Sequence, residues 1–166
     1  SGAGKSTIAS LLLRLYERAE TEFFLTQLKP GDICLDIGAN VGYYSHLFAS
    51  VVGPTGLVIA IEPIPRNAQL ISLNTVINQT ESFVKVICAA AADTPDSKVL
   101  FSQTTDTANS FVFTQQMGGR EDSSFIKPGY KNVTVPATSI DVIVNSLSLD
   151  RIDIIKIDVE GFEHKV

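Results

Sequence analysis

Two cysteines, Cys34 and Cys88, are the only thiols in 166 residues. Both lie in apolar, strand-like runs, so the expectation is a pair of buried free thiols in a reducing compartment. Two histidines, His46 and His164, are too few and too scattered to make a Cys/His zinc spacing, and no metal site is expected. Basic residues are outnumbered, 13 Lys and Arg against 18 Asp and Glu, for a formal net charge of -5. That balance argues against a broad electrostatic grip on nucleic acid or on an anionic membrane. No apolar stretch approaches the roughly 20 residues of a membrane span. No signal-peptide pattern opens the chain, and a cytoplasmic, soluble protein is the expectation.

What is present is apolar material in short blocks. At 45% hydrophobic and 19% charged, the composition is that of a globular domain with a real core. Ser1 to Leu28 has helical spacing, with Ile8, Leu11, Leu12 and Leu15 on one face. Lys29-Pro30-Gly31-Asp32 is a turn. Ile33 to Ile37 reads as a buried parallel strand, followed by the bend Gly38-Ala39-Asn40-Val41-Gly42. Tyr43 to Val52 reads as a helix stopped by Gly53, and Leu57 to Ile61 as a second buried strand ending at Glu62-Pro63. A helix is expected over Asn67 to Ile77, a third strand over Phe83 to Cys88, and a further strand over Lys98 to Phe101. Gln103 to Tyr130 is polar and weakly periodic, and reads as a long loop. Asn132 to Val135 alternates like a strand. Thr138 or Ser139 can cap a short helix through Leu147. Ile152 to Ile157 reads as another buried strand, ending at Asp158. Alternating strands and helices imply an α/β fold with a mostly parallel sheet and flanking helices.

In such a sheet a ligand sits beyond the carboxyl ends of the strands, so the bend after the first strand is the place to look. Gly38 and Gly42 let backbone approach a ligand closely. The G-x-G-x-x-G fingerprint of pyrophosphate cofactors fails, because Asn40 and Tyr43 stand at its later glycine positions. A cofactor without phosphate tolerates Asn40 better. Asp36 at the first strand end can order the bend or accept from an amino group. Glu62 at the second can accept from ribose hydroxyls.

At these residues the chain resembles the FkbM family of methyltransferases. The matching strings are Lys29 to Asp32, Leu35 to Ser45, Ile61-Glu62-Pro63, Ser139-Ile140-Asp141, and Ile155 to Glu163; Glu17 and Thr21 fit an upstream family pattern, and the resemblance covers about 16–166. The resemblance implies a Rossmann-like class I methyltransferase fold, truncated in this chain after the fourth core strand. It implies S-adenosylmethionine as cofactor, held by Asp36, Gly38, Asn40, Gly42 and Glu62, with Pro63 beside them. Tyr43 or Tyr44 would cover the methionine end, Ala89 and Ala90 would pass the adenine, and the methyl group would lie near Asp158. Methyl transfer to a hydroxyl requires loss of a proton, for which Asp158 or Glu160 is the candidate base. The alternative is that Asp158 touches only the cofactor and that Glu160 and Glu163 favour a helix start. His46 reads as a packing residue, and His164 lies near the acids. The family implies O-methylation of a small-molecule hydroxyl acceptor such as a sugar or natural product.

A second resemblance sits at the N-terminus. Ser1 to Thr7 resembles the end of a phosphate-binding P-loop, and Ile8 to Tyr16 the following helix of ABC-transporter ATPases. A working loop would use Lys5 on phosphate and Ser6 on Mg²⁺. The motif's first glycine and its positioning strand would precede Ser1, and Lys156 interrupts the run that could mimic the Mg²⁺-binding strand. The organisation expected is a helical segment over 1–28 and a cofactor-binding domain over 29–166. A P-loop ATPase fragment and a non-catalytic cofactor-binding fragment remain the alternatives.

Overall fold

The computed structural model describes residues 17–93, 98–104, 111–114, 130–159, 163 and 166. The P-loop-like string and its helix lie outside the described residues, as do Glu160 and His164. The chain divides into two compact units, Ser1–Thr26 with Lys98–Thr134, and Gln27–Ser97 with Val135–Val166.

The second unit is built on a parallel sheet. Its strands are β1 (Ile33–Ile37), β2 (Leu57–Ile61), β3 (Val84–Ile87) and β8 (Ile154–Ile157), in the order β3-β2-β1-β8. Ile33 pairs with Leu57, and Asp36 lies between Ala60 on one side and Lys156 on the other. The chain winds outward from β1 through β2 to β3, then returns to place β8 on the opposite flank of β1. Strand order therefore reverses beside β1, where open α/β sheets carry their ligand crevice. Parallel neighbours need crossovers, supplied here by α2 (Tyr43–Val52) and α3 (Pro65–Ile77). This is the Rossmann-like arrangement expected, with a mostly parallel sheet.

β1 and β2 form here because each is a largely apolar run bounded by turns and covered on both faces, whereas β3 and β8 each carry a lysine, Lys85 and Lys156, within the run. On one face Leu35, Ile37, Ile59 and Ile61 pack with Ile143 of α4 (Ile140–Ser146). On the other, Ala60 packs with Ala39 and with Ile71 of α3. Each fully buried Leu or Ile contributes on the order of 1.5–3 kcal/mol. α4 starts where a cap was expected, with Ser139 Oγ accepting from the Val142 N–H at 3.2 Å.

Several boundaries differ from expectation. α3 starts at Pro65, which has no N–H to lose in a first helical turn. β8 is not buried on both faces: Ile155 is 44% and Ile157 39% exposed. Among the described residues it is an edge strand, so its apolar run lacks the cover that β1 and β2 have. Cys34 is buried but Cys88 is exposed, because β3 ends at Ile87 and Cys88 lies beyond it.

β5 (Lys98–Thr104) and β6 (Phe111–Thr114) form an antiparallel pair in the first unit, with Phe101 opposite Phe113. They overturn part of the expected loop over 103–130, whose remainder lies largely outside the described residues. The β-branched and aromatic run Phe111-Val112-Phe113 was masked by its polar flanks. β7 (Tyr130–Thr138) is longer than 132–135. Its end, Ala137 and Thr138, pairs in parallel with β4 (Ala90–Ala91) in the second unit. The first unit also holds most of α1 (Arg18–Gln27), which buries no residue. Among the described residues no helix is long and apolar enough to cross a membrane.

Candidate functional site

The bend after β1 is held by the end of β2. The N–H groups of Gly38 and Ala39 both donate to the Ile61 carbonyl, at 2.9 and 3.1 Å, and Gly42 N–H closes onto Ala39 O at 2.8 Å. Turning this sharply needs left-handed backbone at Gly38 (φ 79°), Asn40 (φ 52°) and Gly42 (φ 88°). Asparagine is among the few side chains that enter this region readily. Gly38 is required twice over, because a Cβ there would overlap the Asp158 carbonyl oxygen. At Gly42 a Cβ would come within 2.9 Å of Ile71 and 3.3 Å of His46 Nε2.

Glu62, only 4% exposed, is clasped to the bend. Its Oε2 accepts from the Asn40 N–H at 2.8 Å. Its Oε1 accepts from the Ile64 N–H at 2.9 Å and from Asn67 Nδ2 at 3.3 Å. Asn67 Nδ2 also donates to Asn40 Oδ1 at 3.3 Å. Burial is the dominant influence on this carboxyl and pushes its pKa to about 7, against the pull of its three donors. Asn67 was missed by sequence reasoning. Its only signal was a polar residue one helical turn beyond Glu62-Pro63.

Asp36 sits deeper, 1% exposed. Ser45 Oγ donates to its Oδ2 at 2.6 Å, while Oδ1 has no hydrogen-bond partner among the described residues. Burial raises its pKa; the Ser45 hydrogen bond and the Lys156 charge oppose that. Lys156, unassigned by the sequence except as an interruption of an apolar run, stands opposite Asp36 in the sheet. Its Nζ lies 3.2 Å from Asp158 Oδ2 and 4.8 Å from the centre of the Tyr44 ring, a cation–π distance.

Asp158 is tied to the bend through its backbone, its N–H donating to Ile37 O at 2.9 Å, while its side chain is 53% exposed. Tyr44 is buried and meets Tyr43 edge to face, with ring centres 5.0 Å apart. Tyr43 and Pro63 are half-buried, and Ala89 and Ala90 are buried just past β3. The Pro63 carbonyl lies 3.8 Å from Cys88 Sγ, which joins the two strand tips. Glu163 Oε1 accepts from the Val159 N–H at 3.3 Å. His46 is half-buried, with both ring nitrogens unpartnered among the described residues, and burial lowers its pKa.

The structure thus brings together Asp36, Gly38, Asn40, Gly42, Glu62 and Asp158. The Asp36 charge is felt by Glu62, and that of Asp158 by Asp36. An acidic cluster of this kind disfavours a phosphate and suits a ligand with hydroxyl donors.

Residues 36–166 match the model of the Methyltransferase FkbM domain. The protein-L-isoaspartate O-methyltransferase of Methanococcus aeolicus is 34% identical over 99 residues, covering 56% of this chain and 45% of that protein. Its namesake, numbered 1, from Archaeoglobus fulgidus is 38% identical over 50 residues, covering 30% of this chain and 23% of that protein. The chain therefore spans less than half the length of these curated relatives. Among solved structures, a SAM-dependent O-methyltransferase from Thermotoga maritima superposes at a TM-score of 0.41, with 25% identity over 47% of this chain and 31% of its own. The family match takes in the bend, both carboxylate-bearing strand tips and β8, and the chain belongs to the FkbM family of S-adenosylmethionine-dependent methyltransferases.

Proposed function

We propose that this chain binds S-adenosylmethionine across the tips of β1, β2 and β8 and directs its methyl group to the oxygen of a small hydroxyl acceptor. The observation that carries this reading is the clasp between Glu62 and Asn40, which fixes a buried carboxylate at the bend. In this reading Glu62 accepts from the ribose, and Gly38, Asn40 and Gly42 bring backbone close to the cofactor. Asp36, whose Oδ1 lacks a partner among the described residues, faces the positively charged amino end. Tyr43 covers the methionine chain, and Pro63, Ala89 and Ala90 flank the adenine.

The cofactor supplies an electrophilic methyl group. The chain's own contribution is to align an acceptor oxygen and to take its proton. Asp158 is the proposed base, because its carboxylate is exposed at the strand tip while its backbone is pinned to β1. Glu160 is the alternative base, two residues further on. The matched relatives are named as O-methyltransferases, which supports oxygen as the acceptor atom. The net charge of -5 favours a small acceptor over nucleic acid.

Titration calorimetry with S-adenosylhomocysteine tests this. Binding at micromolar levels is expected, weakened by Asp36→Ala and by Glu62→Ala. ATP binding that depends on Lys5, with no response to S-adenosylhomocysteine, would reject the proposal in favour of an ATPase fragment.

A further inference from the structure

A carboxylate offers about four acceptor positions, two on each oxygen. On Glu62, Oε1 already takes two donors, the Ile64 N–H and the Asn67 amide, and Oε2 takes the Asn40 N–H. One position on Oε2 is left. A vicinal diol has two hydroxyls to place, so Glu62 can receive only one without giving up a bond to the protein. The nearest second acceptor is Asn40 Oδ1, which takes one donor, from Asn67, and keeps a second lone pair. Asn40 is half-buried and so within reach of a ligand, whereas Asn67 is 5% exposed.

The Asn67 amide nitrogen lies 3.3 Å from both acceptors, and its two hydrogens allow it to donate to each. Turned the other way, its carbonyl oxygen would face the Glu62 carboxylate and be repelled. We propose that Asn67 is a positioning residue that divides recognition of the cofactor's ribose diol between Glu62 Oε2 and Asn40 Oδ1. The inference rests on the proposed cofactor reading and adds to it a second sugar contact and the residue that sets it.

The experiment compares the affinity of the full chain for S-adenosylhomocysteine with its affinity for the 2′-deoxy and 3′-deoxy analogues. Wild-type protein loses about 10-fold for either missing hydroxyl, the scale of one hydrogen bond to a polar or charged acceptor. Asn40→Gly removes Oδ1 but suits the left-handed backbone at φ 52° and keeps the N–H on Glu62. In that variant one of the two deoxy penalties falls to within about 2-fold of none, and the other persists at about 10-fold. In Asn67→Ala the same penalty disappears although Asn40 is intact. A merely structural role for Asn67 would weaken all three ligands by a common factor and leave their ratios untouched. Deoxy penalties equal to wild type in both variants overturn the inference and leave Glu62 as the sole sugar acceptor. Should Asn67→Ala melt below the assay temperature, Asn67→Leu, which keeps the volume but has no donor, takes its place. Failure of the wild-type chain to bind S-adenosylhomocysteine at all is a different result, and it sinks the cofactor reading itself.

Discussion

Glu62 and Asp158 stand at the carboxyl tips of two parallel strands of one sheet, and their surroundings are opposite. Glu62 is 4% exposed and held by two backbone N–H groups and a buried amide. The Asp158 side chain is 53% exposed and, among the described residues, has Lys156 as its ion-pair partner at 3.2 Å. The difference follows from position. β2 is an inner strand, so its tip is roofed by the bend and the start of α3. β8 is an edge strand among the described residues, so its tip is open. A carboxylate embedded in backbone hydrogen bonds is part of the fold as well as of the site. One that reaches into solvent can change its protonation and its partner without disturbing the fold, which suits a proton acceptor.

The sharpest way to break this contrast is at the backbone both acids share. Gly38→Val should destabilise the chain by more than about 3 kcal/mol in urea denaturation, since its Cβ would overlap the Asp158 carbonyl at a φ of 79°. Glu62→Ala comes next. It orphans the N–H groups of Asn40 and Ile64, at a cost of about 3 kcal/mol. Asp158→Ala should lie within about 0.5 kcal/mol of wild type in the same assay.

A further prediction concerns pH. Burial raises the folded-state pKa of Glu62 from 4.5 to about 7, so the folded chain holds this proton more tightly than the unfolded one. Its contribution to stability is full below pH 4.5 and is lost as pH rises to 7, by up to about 3 kcal/mol. Asp36, also raised, adds to this slope, and His46, lowered, opposes it. Subtracting the stability curve of Glu62→Gln from that of wild type isolates the Glu62 part. A flat difference between pH 4.5 and 7 would refute its burial-driven shift. The smallest structural effect belongs to Asp158→Asn. It should leave stability and S-adenosylhomocysteine affinity unchanged while turnover falls by about 10²-fold or more. Loss of affinity in step with turnover would make Asp158 a cofactor ligand and not the base.

The same contrast explains what could be read from the sequence. β1, β2 and α2 begin and end where they were expected, because buried parallel strands are unbroken apolar runs and glycines mark the turns between them. Asp36, Gly38, Asn40, Gly42 and Glu62 were legible as one group because a parallel sheet brings the ends of neighbouring strands together. Asn67 was not, since a polar residue in the first turn of a helix usually faces water; only the packing of α3 against the bend turns it onto Glu62. Lys156 looked like a break in an apolar strand until register set it opposite Asp36. Cys88 was misread because strand identity does not reveal where a strand ends, and one residue past the end exposure changes. Phe111 to Thr114 was hidden because its partner, β5, is what makes so short a run a strand.

In the proposed reading the cofactor's sugar rests on Glu62 against the bend. Backbone amide chemical shifts of the ¹⁵N-labelled chain during addition of S-adenosylhomocysteine test it most directly. The amides of Asn40 and Ile64, which donate to Glu62, are expected to move among the most strongly, and Glu62→Gln to diminish their response. Saturable binding that leaves these two amides in place would contradict it.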